Sequence, residues 1–206
     1  MKNKWAYKYL WILASTVLLM GASSLFLDMP LAQFFEVNRN PILTHLGKYF
    51  SLMGESQWYL VPSVLIGIIC WRSKPLWSRK GWYVFITVAS TGILAILVKL
   101  CCGRYRPELL FEKALSGCAP FHLKAGDLAF PSGHATTIFA VAVALGYLFP
   151  RYRWLFYVVA ATVALSRVVL VKHWLSDVIA GAWLGAAGAV LCWTWMMNGQ
   201  EETHEQ

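Results

Sequence analysis

What most limits the fold of this 206-residue chain is a series of long apolar segments joined by short basic connections. Six can be drawn, at roughly 5–27, 57–71, 82–102, 133–149, 154–171 and 174–197. A helix needs about 20 residues to cross a bilayer, so the second and fourth are short for a span. Trp and Tyr gather near many of the ends, as amphipathic rings do at a membrane boundary. Composition agrees, with 58% apolar and 14% charged residues and a mean hydropathy of +0.53. The expectation is an all-α, polytopic integral membrane protein of six transmembrane helices, one domain over 1–206. Trp5–Leu27 is long for a signal core and no clear small-residue cleavage site follows, so it reads as a retained first span.

Residues 28–56 mix apolar and polar positions too evenly to span. Pro30 and Pro41 look like helix-start signals. They predict short helices lying on the membrane surface or, equally, an ordinary structured loop.

Orientation rests on Lys and Arg. With the N-terminus inside, nine of the 18 fall on the cytoplasmic side: Lys2, Lys4, Lys8, Arg72, Lys74, Arg79, Lys80, Arg151 and Arg153. The raw numbers tie, but the inside charges crowd short loops, where the bias is most informative. Both termini are therefore expected in the cytoplasm and the protein in the inner membrane. The net charge of +8 finds no basic helix or aromatic-basic module outside the apolar segments, so no nucleic-acid partner is expected. No obligatory protein partner is evident either. The five Cys show no CxxC or zinc spacing.

This topology collects three unusual segments on one face: "KLCCGRYRP" (99–107), "PSGH" (131–134) and "ALSRVVLVKHWLSDVIAGAWLG" (164–185). Ionisable groups cost several kcal/mol in hydrocarbon, so they normally face a cavity, a partner or water. His173 and Asp177 are four apart and so neighbours on a helix, where Asp177 can hold one ring nitrogen and leave the other nucleophilic. Arg167 precedes His173 by six residues, about 120° away on a continuous helix. For both to reach one site, the chain must break between them. The alternative is a cluster of snorkelling membrane anchors, which suits Lys172.

Within "PSGH", Ser132 suits an N-cap and Gly133 allows close backbone approach, while free N–H groups at a helix start attract an anion. His134 sits in the first turn, beside anything bound there. Lys99 and Arg106 lie at a span exit where Gly103 and Pro107 predict that the helix ends. With Arg167 they make three cations able to hold phosphate oxygens. Arg104 fits the role of a simple positive anchor better than they do.

The three blocks, K-x6-R-P, P-S-G-H and S-R-x5-H-x3-D, resemble the signature of the type 2 phosphatidic acid phosphatase family, with spacing inside each block intact. The resemblance implies a metal-independent lipid phosphatase with no cofactor. It makes His173 the nucleophile that forms a phosphohistidine, Asp177 its orienting partner and His134 the acid for the leaving oxygen. Lys99, Arg106, Ser132, Gly133 and Arg167 would hold the phosphoryl group. The site would face the periplasm, and the partners would be membrane lipids carrying a terminal phosphate: phosphatidate, phosphatidylglycerophosphate, a polyprenyl diphosphate or a lipid A phosphate. The competing class is a transporter or channel with an anion site. Against it, the charges lie at span ends rather than the midplane, and no inverted repeat is visible.

Residues 108–130, between the first two blocks, are long for a structureless loop and read as a lid resting on the bilayer. Cys118 in that loop and Cys101 or Cys102 at its base are candidates for a disulfide. The other reading has those thiols simply packing at the span end.

Overall fold

The computed structural model describes residues 2–122 and 124–197. Nine α-helices follow one another among them: α1 (Lys2–Phe26), α2 (Asp28–Val37), α3 (Pro41–Leu52), α4 (Gln57–Ile69), α5 (Pro75–Cys102), α6 (Pro107–Lys113), α7 (Gly133–Leu148), α8 (Arg153–Val169) and α9 (Leu175–Met196). Short 3-10 turns occupy Ala125–Asp127 and Pro150–Tyr152. The described residues form no strand, only two isolated bridges, Arg104 to Cys118 and Tyr105 to Leu128. The C-terminal end assigned to the cytoplasm includes 198–206, outside the described residues.

Among the described residues four helical stretches are long and apolar enough to cross a membrane: Pro41–Ile69, Pro75–Cys102, Pro150–Val169 and Leu175–Met196. A fifth arises if Trp11–Phe26 and Asp28–Val37, bent by 52° from each other, count as one. The expected fourth span is α7, whose 16 residues fall short of the usual crossing length. α7 is instead the central post, packed against α5, α8 and α9.

Small residues make that close packing possible. A Cβ placed on Gly181 would lie 3.1 Å from the Ala135 Cβ, and one on Gly185 would lie 2.7 Å from the Ala140 backbone nitrogen. Helices in lipid associate through such close van der Waals contact, because the tails are as apolar as the side chains. Tyr83 of α5 is fully buried in this centre, and its hydroxyl donates to the Ala189 carbonyl at 3.0 Å. Large apolar side chains such as Trp11, Leu18, Ile69 and Leu191 point outward, as lipid contact requires.

Residues 28–56 depart from expectation. They form helices, but α3 neither lies on the surface nor ends before a separate span at 57. It packs along α8, with Gly47 against Leu170, and continues through a turn at 53–56 into α4. The even polar mix has a packing reason: Gly47 and Ser51 are the buried positions of α3. Asn40 caps this helix through its side-chain oxygen, which accepts from the Ile42 and Leu43 amides at 2.8 and 3.3 Å, with Pro41 in the first turn. Pro30 likewise lies in the first turn of its helix, as the third residue of α2, which starts at Asp28. The disulfide expectation also fails, since Cys101, Cys102 and Cys118 are free thiols.

Candidate active site

The three sequence blocks meet at one end of the bundle, each presented by a helix terminus. α5 ends at Gly103, whose φ of 60 turns the chain out of the helix. Only glycine fits, because a Cβ there would run into the Ala119 carbonyl. α7 starts from Ser132, which is fully buried and whose hydroxyl accepts from the Ala135 amide at 3.5 Å. α8 stops at Val169, so the expected break between Arg167 and His173 is present. The Arg167 carbonyl accepts from the amides of Lys172 and His173, and Val171 adopts φ 55, a conformation costly for a β-branched residue.

His173 therefore sits in the turn before α9 rather than on a helix face with Asp177. Its Nδ1 is 3.8 Å from Asp177 Oδ2 and has no hydrogen-bond partner. Asp177 is completely buried, and its Oδ2 accepts from the Trp174 amide at 2.9 Å, closing the first turn of α9. The sequence blocks are also joined across helices, because the Ser132 amide donates to the Asp177 carbonyl at 3.0 Å. His173 is 3% exposed, and it lies within electrostatic reach of Arg106, Lys99, Arg167 and His134. Burial first, then those neighbours, hold its pKa well below the ordinary imidazole range. The ring is consequently neutral at pH 7, with a lone pair to offer.

Each expected cation has a fixed place. Lys99 Nζ and Arg106 Nε both donate to the Leu128 carbonyl, at 3.1 and 3.2 Å, and the Arg106 amide donates to the Asp127 carbonyl at 3.0 Å. The end of the 108–130 loop is thus the backbone rest for two of the three. Arg167, buried at 8% exposure, donates through Nη1 to Ser51 Oγ, while its Nε has no partner. A Cβ on Gly133 would meet nothing within 4 Å, leaving open space beside the start of α7. Lys172 forms an ion pair with Glu108 of α6, which also lies 3.7 Å from Arg106.

α6 packs Leu110 and Phe111 toward Trp174, and Asp127 is held ionised below the usual carboxylate range by the His122 hydrogen bond and by Lys124. Phe121 is left exposed.

Four residues of this region escaped the sequence reading. Arg104 is no surface anchor: its Nη1 donates to Ser176 Oγ at 2.7 Å and to Asp177 Oδ1 at 2.8 Å, and its Nη2 donates to Asp28 Oδ2 at 2.9 Å. Asp28 is buried, and Ser51 holds Arg167. Gly54 lies so near His134 that a Cβ would come within 2.8 Å of the ring. A carboxylate closing the first apolar run was the one available signal, since a charge beside a span needs a partner.

Among the described residues no group of three or more His, Cys, Asp or Glu is placed to hold a metal ion. The chain is 36% identical over 154 residues to a lipid A 1-phosphatase of Rhizobium johnstonii, covering 69% of this chain and 63% of that protein. It is 33% identical over 182 residues to a lipid A 1-phosphatase of Rhizobium etli, covering 82% of this chain and 77% of that one. Its fold superposes on the crystal structure of a transmembrane phosphatidylglycerolphosphate phosphatase from Bacillus subtilis with a TM-score of 0.69 at 23% identity, over 96% of this chain and 97% of the other. The PAP2 superfamily profile matches residues 80–201, and with it the α5, α7 and α9 ends described above: this chain belongs to the PAP2 superfamily.

Proposed function

We propose that this protein is an integral-membrane lipid phosphatase that removes a terminal phosphate through a phosphohistidine on His173. The observation that carries the proposal is the convergence of Lys99, Arg106 and Arg167 on the two histidines, His134 and His173. A phosphate dianion held by those cations presents its phosphorus to His173. The free ring nitrogen Nε2 attacks, the bond from phosphorus to the lipid oxygen breaks, and His134 delivers a proton to that oxygen. Asp177, facing Nδ1, balances the positive charge that develops on the ring. Water then attacks the phosphohistidine while His134 takes back a proton, releasing inorganic phosphate and the free imidazole. Phosphoryl transfer is mostly positioning plus charge stabilisation, and three fixed cations supply both. Ser132 and the Gly133 amide complete the cradle at the start of α7.

The relatives make the 1-phosphate of lipid A the first substrate to test, followed by phosphatidylglycerophosphate, phosphatidate and a polyprenyl diphosphate. Phosphate release by the purified protein in detergent decides between this reading and a transporter, for which no substrate on the panel should be hydrolysed. Activity should survive EDTA and fall with vanadate, which mimics pentacoordinate phosphorus. Loss in EDTA that Mg²⁺ restores would refute the cation-only mechanism.

The proposed orientation places the site on the periplasmic face of the inner membrane, with both termini in the cytoplasm. Ser73 and Ser116 are exposed at opposite ends of α5, so cysteines there read the topology in a background without native Cys. An impermeant thiol reagent should label Ser116→Cys in intact cells and Ser73→Cys only after permeabilisation. The opposite pattern would put the site in the cytoplasm.

A further inference from the structure

We infer that Asp28, at the elbow between α1 and α2, is a positioning residue that acts on the catalytic histidine through Arg104 and Asp177. The inference rests on the phosphatase reading above, and Asp28 lies outside the 80–201 stretch that matches the family profile.

The geometry is a forked clamp. One guanidinium nitrogen of Arg104 reaches Asp177 Oδ1 at 2.8 Å, and the other reaches Asp28 Oδ2 at 2.9 Å. Both carboxylates are buried, at 0% and 3% exposure. Asp28 is fixed in turn, because its Oδ1 accepts from the Ser176 amide at 2.9 Å and from Ser23 Oγ at 3.1 Å. Ser176 Oγ donates to the other oxygen. The α1–α2 elbow is thereby tied directly to the first turn of α9.

Charge shows why two carboxylates share one cation. A lone Arg104–Asp177 pair would be neutral and would spend the Asp177 charge on the guanidinium. Asp28 takes one arm of the Arg104 fork and leaves Asp177 Oδ2 facing His173 Nδ1, where the carboxylate's charge is available as the ring becomes positive. That charge stabilises the imidazolium formed when the ring takes up a phosphoryl group. The phosphate-binding cations are held separately, Lys99 and Arg106 on the Leu128 carbonyl and Arg167 on Ser51 Oγ, so turnover should fall more than phosphate binding. Truncating one member of such a buried set leaves an uncompensated charge, so isosteric variants are the informative ones.

The experiment compares wild type with Asp28→Asn, Arg104→Gln and Arg104→Lys in detergent, on a lipid phosphate and on an aryl phosphate. The Ki for inorganic phosphate and the thermal midpoint are read alongside. The expected result for Asp28→Asn is a fall in kcat of at least tenfold, with KM and the phosphate Ki within about twofold of wild type. Arg104→Gln should lose more, and Arg104→Lys should recover part of that loss. In an Asp177→Asn background, Asp28→Asn should cost nothing further, since its route to His173 is already cut. Three results would overturn the inference: kcat within twofold of wild type in Asp28→Asn, a full additional loss in the Asp177→Asn background, or a parallel decline of kcat, phosphate Ki and thermal midpoint that marks a merely structural role. Wild-type protein inert on every phosphate ester would refute the phosphatase reading itself and the inference with it.

Discussion

Replacing His173 by Ala is expected to abolish phosphate release from every lipid on the panel, and acid-quenched protein should then carry no covalently bound phosphate. In the proposed mechanism the imidazole is the only group that attacks phosphorus. The turn that holds His173 is fixed by backbone bonds from residues 172 and 173 to the Arg167 carbonyl, not by the ring, so the fold should survive. Mutating a covalent nucleophile typically costs several orders of magnitude, and here the fall should reach the assay background. His134→Ala should behave differently. An aryl phosphate has a leaving group stable without a proton, and its hydrolysis should suffer far less than that of a sugar- or glycerol-linked phosphate. Near-normal turnover in His173→Ala would remove it from the nucleophile's role. Equal losses on aryl and alkyl phosphates would remove His134 from the acid's role.

The second large effect is expected far from the chemistry. Gly185→Val should destabilise the bundle by about 3 kcal/mol, the upper end of ordinary overpacking. A side chain there meets the Thr136 carbonyl and the Ala140 amide nitrogen, both backbone atoms that no rotamer change can clear. α9 must then retreat from α7, which pulls the His173–Asp177 end away from Ser132 and His134. The measurement is the thermal midpoint in detergent with residual activity, compared against Gly92→Val. Gly92 is also within a long helix, but a Cβ there meets nothing within 4 Å. Equal midpoints for the two variants would show that close approach of α7 and α9 is dispensable.

The contrast between those two positions also shows how much of the protein is legible without its structure. His173 stands out in the sequence because its meaning is local. The spacing to Asp177 and Arg167 falls within one turn and its flanking helices, and the break between them follows from the need to aim both at one site. The distance came out as a 3.8 Å approach through a different geometry, with His173 in the turn and Asp177 folded back onto the Trp174 amide. Short-range spacing survives that error, since both arrangements bring the same two residues together. Gly185 carries no comparable mark. Many of the chain's 15 Gly sit in apolar helices, and only the depth and rotation of each helix in the bundle decide which of them touch backbone.

The membrane-protein class, the helical fold and the three charged blocks were determined by the sequence alone, because hydropathy over some twenty residues and spacing within a dozen are properties of contiguous chain. Tertiary structure alone decided the partners. Asp28 meets Arg104 across 76 positions and Arg167 meets Ser51 across 116, while α3 stands against α8 instead of lying on the surface. Such pairings depend on the depth and rotation of separate helices in the bundle. A buried charge declares that it needs a partner, but which one it receives is set by how the helices that carry the two residues pack, as α3 against α8 brings Ser51 to Arg167.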